Sequence, residues 1–132
     1  MSYIVKRRNT FLAPSASTRD ANGHHLHVVC TEPCKSNKSV VLTISTIRDK
    51  QWHDPTVIID VGLHKFVKAK SFVHYAYAQV MDCSAISRDV DSWVFMPKEE
   101  MVESVVSAML CGAHESEMTP KFVLDYIDSL DA

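Results

Sequence analysis

Residues 40–46 read VVLTIST. Val40, Leu42 and Ile44 alternate with Val41, Thr43 and Ser45, which predicts a half-buried β-strand showing hydroxyls on its second face. The sequence on either side repeats the strand-and-turn pattern. Upstream, Ser36-Asn37-Lys38-Ser39 is a polar turn cluster, and His25–Thr31 is a β-branched run halted at Glu32-Pro33, where proline cannot donate to a ladder. Downstream, Arg48–Pro55 (RDKQWHDP) reads as a polar loop, and Thr56–Val61 (TVIIDV) as a third strand closed by Gly62. Phe66-Val67 predicts a short extended piece, and Ser71–Met81 (SFVHYAYAQVM) a long strand. No crossover helix intervenes before residue 97, so these strands are expected to pair antiparallel.

The last third changes period. Pro97-Lys98-Glu99-Glu100 places a proline and acids where a helix starts, and Met101, Val102, Val105, Val106, Met109 and Leu110 then recur at helical spacing, with Gly112 as a C-cap. Thr119-Pro120 opens a second helix, Thr119 capping, with Phe122, Val123, Tyr126, Ile127 and Leu130 on its apolar face. The expected architecture is mainly β within an α+β chain. A small antiparallel sheet or barrel (residues 1–82) is followed by a linker (83–96) holding Trp93 and Phe95, then by two amphipathic helices (97–132), all in one domain.

A chain of 132 residues can bury a core without disulfides or metals. No apolar run is long enough to span a bilayer, the N-terminal MSYIVKRRNTFLAP lacks a signal-peptide core, and the four cysteines show no framework spacing. Reduced thiols and a cytoplasmic location are expected. Residues 1–82 carry 11 Lys/Arg against 6 Asp/Glu, and residues 83–132 carry 3 against 10, which suits a basic face for an anionic partner beside an acidic helical region.

Two stretches carry chemistry. HHLHVVCTEPC (24–34) has Cys30 and Cys34 at a tolerable zinc spacing, with His53, His64 or His74 as a further ligand. Strand alternation, however, sends His25, His27 and Val29 to one face and His24, Leu26, Val28 and Cys30 to the other, so no metal site or cofactor is expected. The same alternation weakens a Cys30–His27 nucleophilic pair. A dyad of Cys30 or Cys34 with His53 or His64 stays open.

The second stretch gathers Thr43, Ser45, Thr46, Arg48, Asp49, Lys50, His53 and Asp54, then His64, Lys65, Lys68 and Lys70. Metal-free RNA cleavage needs a base for the 2′-hydroxyl, a cation at the phosphorane and an acid for the leaving oxygen, and these residue types supply all three. Trp52, Phe66 or Tyr75 could stack on bases. The plainer alternative is a solvated loop with lysines keeping a strand edge soluble. Among these residues Thr46, Arg48 and His53 form the candidate catalytic group, and Lys50, His64, Lys65 and Lys68 the candidate RNA-binding group.

Over residues 11–81 the chain resembles a divergent branch of the PemK/MazF-like growth-inhibitor toxins of toxin–antitoxin operons. The resemblance lies in LHVVCT after a polar loop, in VVLTISTI, and in HDPTVIIDVGLHKFVKAKSFVHYAYA, which resembles a D-P-x-hydrophobic, G-x-H-x-F and S-[FY]-V-x-Y pattern. The tail GAHESEMTPKFVLDYI resembles the helix that follows the barrel in such relatives. The resemblance implies an SH3-like barrel, a homodimer, mRNA endoribonuclease activity, and an acidic antitoxin-like protein as partner. It places Thr46 at the family's hydroxyl position. The family's arginine position falls at His24-His25-Leu26, which holds no arginine, leaving Arg48 or His25 to stand in. A barrel that has lost the active site and binds nucleic acid or a protein, as a regulator or phage-related module, is the alternative.

Overall fold

The computed structural model describes residues 2–14 and 24–130. Among them seven strands form one antiparallel sheet: β1 (Thr10–Pro14), β2 (His24–Val29), β3 (Lys38–Thr46), β4 (Ile58–Ile59), β5 (Ser71–Val73), β6 (Gln79–Asp82) and β7 (Met96–Lys98). Three α-helices pack on it: α1 (Cys83–Asp91), α2 (Glu103–Glu115) and α3 (Lys121–Leu130). The hydrogen-bonded order is β4-β5-β3-β2-β1-β7, with β6 also on β3. The polar loop expected before β2 falls on residues 15–23, outside the described residues.

VVLTIST lies at the centre, as its pattern requires, but it is not half-exposed. Ser39 to Ile44 are buried on both faces. Val40, Leu42 and Ile44 join Leu26, Val28, Val73 and Tyr75 in the larger core, closed by Val106, Met109 and Ala113 of α2 and Val123 and Ile127 of α3. On the other face Val41 joins Phe11, Val29 and Val5 in a second core, closed by Cys83, Ile86 and Val90.

Those last three residues belong to the segment expected to be a linker. Asp82 nucleates a helix there, its carboxylate accepting from the N–H groups of Ser84 (2.8 Å) and Ala85 (3.3 Å). Cys83, Ile86 and Val90 then fall on one side at helical spacing. Trp93 does not pack between the halves but stands 78% exposed, whereas Phe95 stacks on Phe11 at 4.8 Å.

Further expectations shift for identifiable reasons. The long strand over 71–81 is broken by a 3-10 turn at Tyr75–Tyr77, and the register on β3 slips by three residues between β5 and β6. The turn swings Tyr75 into the larger core, where its hydroxyl donates to Met109 O at 2.5 Å. The third strand shortens to Ile58–Ile59, and Phe66-Val67 stays in a loop. Residues 96–98 are extended rather than helical because they pair with Leu12, Phe11 and Thr10 of β1. Gly112 is not a cap but lies inside α2, pressed against Tyr75: a Cβ there would stand 2.2 Å from the Tyr75 hydroxyl and 2.6 Å from Val57. Thr119 donates its hydroxyl to Ala113 O at 2.7 Å, so it ties the end of α2 rather than capping α3.

The edge strands β4 and β7 do not pair with each other, so the sheet is open. Among the described residues no helix is long and apolar enough to cross a membrane.

Candidate functional site

The candidate site forms where β3 leaves the core. Thr46 is its last residue, opposite Ser71 of β5, and it is exposed. Thr46, Lys68, His24, His25, Phe66 and Ser71 line a pocket of about 70 Å³. Two hydroxyl residues, a lysine and two histidines therefore border it from three segments separated in sequence by some twenty residues each.

Arg48 follows two residues later on the exposed loop, near enough for its charge to act on His25. Burial holds the His25 imidazole below its ordinary value, and the charges of Arg48 and His24 press it the same way. His25 is thus neutral near pH 7, the form that can accept a proton.

The opposite side of the same strand end carries a row of rings. Alternation puts Ser45 and His25 on the face away from Ile44 and Leu26, and Phe72 stands beside Ser45 across the β3–β5 ladder. His53 tilts onto Phe72 at 5.5 Å, and His74 meets the same ring at 5.2 Å. Tyr77 contacts the edge of His74 at 4.4 Å. The backbone N–H of His74 donates to Thr43 O at 2.8 Å, continuing the β3 ladder one residue past β5. Burial lowers the His74 pKa, aided by the charge of His25 and opposed by Asp54.

Asp54 is buried beneath the loop. Burial alone would raise its carboxyl, but hydrogen bonds outweigh that and hold it below the usual range. Ser116 donates at 2.6 Å, Thr56 donates its hydroxyl at 2.6 Å and its N–H at 3.0 Å. Asp54 thereby pins the 48–57 loop to the end of α2.

His64 has a different position from the other candidates. Only 5% exposed, it accepts from the Phe66 N–H at Nδ1 (3.0 Å), which leaves the proton on Nε2 to donate to Glu99 O at 2.6 Å. Thr10 donates to the same carbonyl at 2.7 Å. His64 therefore spans from the loop after β4 to the residue after β7, bridging the two unpaired edges of the sheet, and its ring is not available to RNA. Lys65 acts on Glu99 and does not line the Thr46 pocket, while Lys50 is exposed at a turn with φ of 64°. Of the sequence candidates, the fold gathers Thr46 and Lys68 in one pocket, sets Arg48 next to it and holds His53 around the strand edge.

Neither open cysteine pairing is formed. The buried Cys30 thiol, pushed up to about 12 by burial, points to Val28 O. Cys34 lies 3.1 Å from Ser36 Oγ, and bonds from Ser36 and Tyr126 bring its thiol down to about 6. Among the described residues no three His, Cys, Asp or Glu side chains are placed to hold a metal ion. What the sequence did not single out is the partnership of His74, Phe72 and Ser45. The alternation in SFVHY against TIST carries that signal, once the two strands are known to be neighbours. No family model and no curated protein matches the chain.

Proposed function

We propose that the protein binds single-stranded RNA across the end of β3 and cleaves it without a metal ion, as the toxin component of a toxin–antitoxin pair. The convergence of Thr46, Lys68 and His25 in one pocket beside Arg48 carries this reading. Support also comes from the resemblance over residues 11–81; the observed sheet is antiparallel and open, with His64 bridging its edges, and the implied SH3-like barrel is part of the proposal.

The chemistry assigns each group a step. Neutral His25 takes the proton of a ribose 2′-hydroxyl as that oxygen attacks phosphorus. Arg48 and the Thr46 hydroxyl bind the charge that develops on the non-bridging oxygens. The bond from phosphorus to the 5′-oxygen breaks, and His53 protonates the leaving oxygen. Lys68 and Lys50 hold flanking phosphates, so affinity falls with salt. An acidic antitoxin segment would cover the same cations, and a homodimer would extend the RNA track.

The test is incubation of purified protein with mixed-sequence RNA in EDTA, with mapping of the cut ends. The expected products carry 2′,3′-cyclic or 3′-phosphate and 5′-hydroxyl ends, and Thr46→Ala and Arg48→Ala each lower the rate at least about a hundredfold, the scale of losing a charge-stabilising group. Intact RNA, with binding retained, would leave the non-catalytic module as the better reading.

A further inference from the structure

Two buried polar atoms in the described structure make no hydrogen bond: Ser45 Oγ and His74 Nδ1. Ser45 lies opposite Phe72 of β5, and His74 follows directly after β5, its backbone N–H bonded to Thr43 O, which puts both residues on the same sheet face. A buried polar group without a partner costs about 1–3 kcal/mol, so two neighbouring ones mark a place built to receive a further polar atom. Neither Ser45 nor His74 lines the Thr46 pocket.

The surrounding charge decides the kind of atom. From β2, His25 acts on His74 and is itself acted on by Arg48 and His24. From the 48–57 loop, His53 reaches the shared Phe72 ring, and from the 3-10 turn Tyr77 meets the His74 edge. Asp54 is the carboxylate that acts on His74, and its oxygens are already engaged by Ser116 and Thr56. The cluster is therefore a set of cationic or proton-accepting groups that repel one another when charged. An anion placed among them relieves that repulsion, whereas a cation would add to it.

We propose that Ser45, His74, His25 and Arg48 form an oxyanion site that takes a phosphate group, adjoining the Thr46 pocket, whose lining also includes His25. The Ser45 hydroxyl and a protonated His74 Nδ1 donate to phosphate oxygens, and Arg48 and His25 supply the remaining charge. The inference rests on the RNA reading only for its natural ligand, a backbone phosphodiester. Phosphate binding itself stands apart from cleavage.

The experiment follows the imidazole resonances of the full chain by NMR across pH, with inorganic phosphate or dimethyl phosphate added against chloride at equal ionic strength. Phosphate is expected to raise the pKa of His74 and His25 by about one unit, equivalent to about tenfold tighter binding to the protonated form. His114, paired with Asp128 on the far helices, serves as the internal reference. Ser45→Ala should weaken the effect severalfold, and His74→Gln should remove it from His25. Saturable shifts with dimethyl phosphate as well support the backbone ligand. Shifts with inorganic phosphate alone keep the oxyanion site and overturn its assignment to RNA. Shifts at His25 and His74 no larger than at His114, or a Ser45→Ala variant that responds like the wild type, overturn the site. RNA left uncut while these shifts persist counts against the cleavage mechanism alone.

Discussion

The two faces of the sheet differ in what covers them. One face is almost wholly apolar through its centre and lies under α2 and α3. The other is divided: Phe11, Val29 and Val41 lie under α1, and beyond them His27, Thr43, His25, Ser45 and His74 continue the face with polar and ring side chains. Among the described side chains the polar half of the second face lies beyond the α1 cluster, and at the end of β3 the first face also gives way to the Thr46 pocket. A single strand serves both because its alternation delivers Leu42 and Ile44 to one side and Thr43 and Ser45 to the other.

Removing a large side chain from each face measures this difference. Leu42→Ala, in the larger core, should cost about 2–5 kcal/mol in denaturant unfolding, and Ile86→Ala in the α1 core should fall at the low end of that range, since a small cluster can collapse onto the gap. Equal losses would mean that the second core is as tightly specified as the first.

The polar half should show itself in acid. His27 is 2% exposed, stacked 5.5 Å from Phe11, and burial lowers its pKa to about 4 despite its bond to His25 O. A folded pKa below the unfolded 6.5 means that the unfolded chain binds the proton more readily, so stability is full above about 6.5 and declines as pH falls toward about 4. The loss should approach roughly 3 kcal/mol, from about 1.4 kcal/mol per unit, with His25 and His74 acting in the same direction. Chemical unfolding at pH 7.5 and 4.5 measures it, and His27→Gln should flatten the dependence. A flat profile in the wild type would sink this account of the second face.

Gly112→Ala probes how closely the aliphatic face is fitted. Its new methyl meets the buried Tyr75 hydroxyl, so a cost of about 1–3 kcal/mol is expected, against a small gain for alanine elsewhere in a helix. Lowered cost in Tyr75→Phe/Gly112→Ala would locate the clash at that hydroxyl. The smallest effect belongs to the solvent side of α3. There Lys121 and Asp125 pair at 2.9 Å with both side chains largely exposed, and Lys121→Ala should change stability by no more than about 0.5 kcal/mol.

Much of the fold was legible from pattern. Strand two was expected to separate Leu26, Val28 and Cys30 from His25, His27 and Val29; the first three lie in the larger core, Val29 in the smaller one, and His27 stacks on Phe11 beside it. The apolar stripes of α2 and α3 place Val106, Met109, Val123 and Ile127 in the core. Helix α1 was not anticipated because nine residues with three buried side chains give a short signal, and its cap comes from Asp82, assigned to the chain before it. Of the site, Thr46, Arg48 and Lys68 were legible as residue types on polar segments. The removal of His64 from it was not, because the ring's partners Glu99 and Phe66 are local to the fold rather than to any motif.

By itself, the sequence determined which side chains share a face of each strand or helix, since backbone geometry fixes periods of two and 3.6 whatever the partners are. It also determined that hydroxyls and cations cluster around residues 43–70. Only the tertiary structure decided which faces meet and which stay open. Burial of Val41 on the second face depends on α1 packing there, and the neighbourhood of Ser45, His25 and His74 depends on the register of β3 with β2 and β5. Register and coverage follow from long-range packing, in which many residues must be satisfied together, and no local pattern encodes that solution.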